Sequence, residues 1–151
     1  MVLRVWGSAA LMLSRKVQAA WIVLVAAAGV ACSGDVVTPT TTTVAGAYTA
    51  TVFTTTTGGI TTDQLAAGSS LALSLTAAGA VTGRLFVPGG AEGGGNLDAD
   101  MVGTWTLTGS TVDFNQAADT FVRDMSFVAT ENRLTGDATF GGTNVHVVLT
   151  K

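Results

Sequence analysis

The chain has one cysteine, one histidine and two prolines among its 151 residues. A lone cysteine rules out an intramolecular disulfide framework, and a lone histidine rules out a multi-histidine zinc site. Charge is scarce as well, at 11% of residues. Arg4, Arg15 and Lys16 sit near the N-terminus. Beyond residue 31 only Arg84, Arg123, Arg133 and Lys151 face all ten acids, four bases against ten for a net of −6. A domain this acidic is poorly suited to neutralising a phosphate backbone, which argues against nucleic acid as a partner. It also offers no basic patch for anionic lipid, so attachment to a membrane has to come from an anchor.

What the chain does have begins with an address. Residues 15–32 read RKVQAAWIVLVAAAGVAC, two bases before an apolar run that ends in small residues. A spanning helix needs about 20 apolar residues, and this run is shorter, which is the anatomy of an export signal. Met12, followed by Leu13, Ser14, Arg15 and Lys16, would open a compact signal by itself and is an alternative start.

Gly29, Val30, Ala31 and Cys32 resemble the lipobox of bacterial lipoproteins, with Gly29 where a leucine-like residue is usual. The resemblance implies cleavage before Cys32, diacylglycerol on its sulfur, and a location in the cell envelope. Ser33 after the cysteine is similar to the outer-membrane sorting class, facing the periplasm or the surface. The expected organisation is a signal peptide over 1–31, a lipidated cysteine with a Thr-rich linker over 32–44, and a domain over 45–151. The segment VVTPTTTT, residues 36–43, has the composition of a disordered tether.

From residue 45 the pattern has period two. Leu71, Leu73 and Leu75 alternate with Ala72, Ser74 and Thr76, and Val145, Val147 and Leu149 alternate with His146, Val148 and Thr150. One face buried and one face wet is the mark of antiparallel sheet. The spacing predicts strands over 46–55, 69–77, 80–87, 99–108, 111–116, 121–130, 132–140 and 143–150. Ala78-Gly79, Gly109-Ser110, Glu131-Asn132 and Gly141-Gly142 supply hairpin turns between them. Long connections fall over 56–68 and 88–98, and the only places for a helical turn are 62–67 and 115–119. Glycine recurs at strand starts, at Gly46, Gly83, Gly103 and Gly136, with larger residues two and four positions on. Coiled sheets use glycine in this way to close a small barrel. The predicted fold is therefore all-β, an up-and-down antiparallel barrel of about eight strands, with a sandwich as the competing architecture.

Gly103-Thr104-Trp105 with Leu107 resembles the Gly-x-Trp signature of lipocalin-like, or calycin, barrels, and is similar to the Gly-x-Trp strands of the avidin class. Lipocalins carry the motif in their first strand, whereas here it lies mid-domain. The resemblance implies a barrel and, through it, the binding of a small or hydrophobic ligand. Tyr48, Leu85, Trp105, Leu107, Phe114, Met125, Phe127 and Phe140 would line the interior. The alternative is a structural or interaction lipoprotein whose barrel is filled by those same side chains, and an eight-stranded barrel accommodates either.

Chemistry-bearing clusters are sparse. Asp98 and Asp100 follow a Gly-rich loop, but Met101, Val102 and Gly103 stand where further calcium ligands would fall. The run from Gly89 to Gly95 lacks the helix and lysine of a phosphate loop. Asp113, Asp124 and Asp137 fall opposite the apolar face, as does His146, where they are solvated. Arg123, counted by two from Phe121 to Met125, falls on the apolar side, which implies a barrel mouth, a pairing across the lumen, or a bulge that shifts the frame. No catalytic residue, metal site or cofactor is expected, and the reading is non-enzymatic.

Overall fold

A run of threonines is a poor helix former, yet a capping box starts one here. Thr40 accepts from the backbone N–H of Thr43 at 3.1 Å, and Thr43 Oγ1 accepts from the N–H of Thr40 at 2.8 Å. The short helix α1 (Thr41–Val44) follows and buries Val44 completely. This computed structural model describes residues 38–151. The expected signal peptide, Met12, the lipobox and Cys32 lie outside the described residues. Within them, the last part of the Thr-rich linker is an ordered element joined to the domain.

Ten strands follow: β1 (Gly46–Thr57), β2 (Ile60–Asp63), β3 (Ser70–Leu75), β4 (Ala80–Val87), β5 (Leu97–Asp100), β6 (Gly103–Thr108), β7 (Thr111–Gln116), β8 (Phe127–Ala129), β9 (Arg133–Phe140) and β10 (Thr143–Thr150). They form a closed antiparallel barrel of eight strands, in which each neighbours the next and β10 returns to pair with β1. The count falls from ten to eight because two staves are interrupted. β2 and β3 both pair with β1, and β5 and β6 both pair with β4. Gln64–Ser69 forms the first interruption, held by Gln64 N–H on Phe53 O and Ser69 N–H on Gln64 O, each at 2.8 Å. Met101 and Val102 form the second, with Met101 N–H donating to Gly83 O at 2.9 Å. Closure leaves no long unpaired edge, the usual liability of an antiparallel sheet.

The hairpins at 78–79, 109–110, 131–132 and 141–142 form where the turn residues place them. Three expectations need correction, the first being the strand over 99–108, which is interrupted at Met101 and Val102. Within the connection 56–68, residues 56–57 and 60–63 are strand, because Gly58 and Gly59 take positive φ and fold β1 back onto β2. Residues 121–124 are not strand but a single helical turn, α2 (Phe121–Asp124), so β8 is only three residues long. Residues 63–67 close a single turn, Ala67 N–H donating to Asp63 O at 3.1 Å, whereas 115–119 is not helical.

Of the four recurring glycines, Gly46 and Gly103 open strands whereas Gly83 and Gly136 lie mid-strand, and Gly83 and Gly103 sit where backbones touch. At Gly83, with φ of 156°, an added Cβ would lie 2.1 Å from Ala72 O. At Gly103 it would lie 2.1 Å from Asn115 O. A side chain at either position would push adjacent staves apart, so the tight coil of the barrel depends on its absence.

Candidate ligand site in the barrel interior

All eight residues predicted to line the interior lie on or against its apolar core. Tyr48, Leu85, Trp105, Phe114, Met125 and Phe127 are buried, and Leu107 and Phe140 are half-buried at the margin. They do not form one surface open to a ligand. At the α1 end, Tyr48 donates its hydroxyl to Val44 O at 2.6 Å, and Trp105 donates Nε1–H to Thr76 O at 2.9 Å. Both polar atoms are thereby satisfied by backbone. Lys151 closes this end from outside, with Nζ 5.5 Å from the Tyr48 ring centroid and donating to Thr43 O. Burial pushes the Tyr48 phenol up to about 12.

The middle of the barrel is interlocked. Phe114 and Phe127 meet edge to face with centroids 5.4 Å apart. Gly136 admits Phe127 together with Met125: a Cβ there would lie 2.5 Å from Met125 Cε and 2.8 Å from Phe127 Cε1. Gly136 therefore serves a packing role, making room for the two large side chains.

The far end differs. β8 pairs with β7 only at Thr111 and Val112, and α2 packs on β7 beyond them. Phe121 of α2 lies 5.3 Å from the Phe53 ring, and Val122 is fully buried. Beneath this cover Gln116 shares the inner face of β7 with Val112 and Phe114, and is only 4% exposed. Neither its Nε2 nor its Oε1 has a hydrogen-bond partner. Nearby, buried Thr120 donates Oγ1–H to Met101 Sδ at 3.9 Å, a weak acceptor.

Gln116 and Phe53 are absent from the expected lining set for different reasons. Gln116 keeps strict alternation with Val112 and Phe114, so its inward position was available from the sequence. Phe53 was hidden by a register shift between Ala50 and Val52. The bulge moves the inward positions from 48 and 50 to 53.

Arg123 is explained by the helical turn. Freed from strand alternation, it turns outward and pairs with Asp119 and with Asp124, the latter at 2.8 Å. Its guanidinium holds the Asp124 carboxyl below the ordinary range. Outside the barrel, Arg84 bridges Asp98 at 2.6 Å and Asp100 at 3.6 Å. Asp137 accepts from Asn144 Nδ2 at 2.8 Å and lies 3.0 Å from His146 Nδ1. The bond from Asn144, then that from His146, lowers the Asp137 carboxyl. Among the described residues no three His, Cys, Asp or Glu side chains gather as a metal site, and no helix is long and apolar enough to cross a membrane.

No protein-family model, curated protein or solved structure matches this chain.

Proposed function

We propose that this chain is an exported lipoprotein of the cell envelope, tethered through lipid on Cys32, whose barrel binds a small, largely apolar ligand. The signal-like run before Cys32 and the base-poor domain support the tether. The ligand reading is carried by one observation, the buried amide of Gln116 without a partner in a mostly apolar interior. Burying such a group unpaired costs about 1–3 kcal/mol, and a barrel that only needed filling would gain by an apolar residue there. The ligand then belongs at the α2 end, since the α1 end and the middle are occupied by the protein's own side chains.

The interlock of Met125, Phe127 and Gly136 favours a second reading, a non-catalytic interaction lipoprotein with a filled barrel. Intact mass spectrometry of the protein extracted from membranes separates the elements of the proposal. The expected species begins at Cys32, carries acyl chains, and releases a small molecule on unfolding. An unacylated protein retaining residues 12–31 would overturn the tether, and an acylated protein releasing nothing favours the filled barrel.

A further inference from the structure

Building on the ligand-binding reading, we infer that Gln116 anchors a neutral carboxamide group of the ligand, admitted at the α2 end of the barrel. Three observations converge there. First, both halves of the Gln116 amide lack partners. The group therefore asks for an acceptor facing Nε2 and a donor facing Oε1, and a planar amide presents both at one edge. A carboxylate offers acceptors only and would leave Oε1 unpaired.

Second, the site does not suit an anion. None of Arg84, Arg123, Arg133 and Lys151 is buried, so among the described residues no base follows an anion into the interior. A buried charge without a partner is strongly disfavoured. Third, Thr120 donates to a thioether, so its hydroxyl can turn to a better acceptor without loss. The apolar body of the ligand would lie among Phe53, Met101, Phe114, Phe121 and Val122, buried or half-buried at this end.

The way in is also local. Along β7 the residues beyond Val112 lack β8 partners, and α2 covers them instead. α2 is one turn long, its N-cap Thr120 makes no side-chain capping bond, and its ion pairs are solvent-exposed. Exposed pairs of this kind resist opening only weakly. Lifting residues 117–126 exposes Gln116 at the cost of the buried contacts of Phe121, Val122 and Met125, and leaves the strand pairing of the barrel intact.

Titration calorimetry of the full chain, purified from membranes in detergent, tests this with three probes of one shape: benzamide, benzoate and ethylbenzene. Benzamide is expected to bind about tenfold or more tightly than either of the others, because only it pairs both amide atoms. Gln116→Met, which keeps the length and removes the polar atoms, should erase that preference, leave ethylbenzene binding in place and melt no lower than the parent. Gln116→Leu serves as a second variant if the first does not fold. If ethylbenzene binds as tightly as benzamide, and the substitutions change neither, the barrel takes ligands but Gln116 is not the anchor. If no probe binds, the ligand-carrier reading fails together with the anchor.

Discussion

Tyr48 shows how a single side chain can tie an irregular segment to a barrel. Its ring fills the α1 end, its hydroxyl holds Val44 O, and Lys151 lies over its face. The phenol is buried in its neutral form, which raises its pKa from 10.0 to about 12. A raised folded-state value means that folding favours the protonated group. This stabilisation is complete below pH 10 and is lost as pH climbs through about 12. Tyr48 is the only tyrosine, so tyrosinate absorbance reports it alone. We expect a single late titration in the folded protein, and denaturation midpoints that fall between these values in the parent but less in Tyr48→Phe. Equal losses in both proteins would show that other groups carry the alkaline instability.

Elements were legible in the sequence wherever alternation and turn chemistry agreed. The runs at 80–87, 111–116 and 143–150 match β4, β7 and β10 because each keeps its frame from turn to turn. Frame-breaking features were not legible. The bulge in β1 brings Phe53 inward, and the turn of α2 takes Arg123 outward, and both depend on contacts distant in sequence. In the candidate site, the apolar lining could be read from period two, whereas the missing partner of Gln116 emerges only when every neighbouring element is in place. The recurring glycines belong with the legible features, although Gly83 and Gly136 fall mid-strand, and their role can be tested. Gly83→Ala should destabilise the barrel by about 2–4 kcal/mol, through strain and the collision with Ala72 O. Gly95→Ala, whose Cβ would meet only Ala91 Cβ at 3.9 Å, should stay within about 0.5 kcal/mol of the parent. Urea midpoints of the two variants compare them directly, and equal midpoints would remove close approach as the reason for glycine at 83.

For the whole molecule, the decisive contact is the seam between β1 and β10, which run side by side from Thr49 against Thr150 to Thr57 against Thr143. Every other junction joins consecutive staves of the barrel, counting β2 with β3 and β5 with β6 as one stave each. Removing residues 143–151 should therefore leave β1 and β9 as open edges and abolish cooperative unfolding, as read by the loss of near-ultraviolet dichroism; a truncated chain that still melts cooperatively would show that the seam is dispensable. The seam also fixes when folding can finish. Its first strand has to wait for residues near position 150 before it can be covered, so a ribosome still making the chain holds a sheet that cannot shut. Closure of the barrel is therefore a post-translational step, possible only after the last strand has left the ribosome.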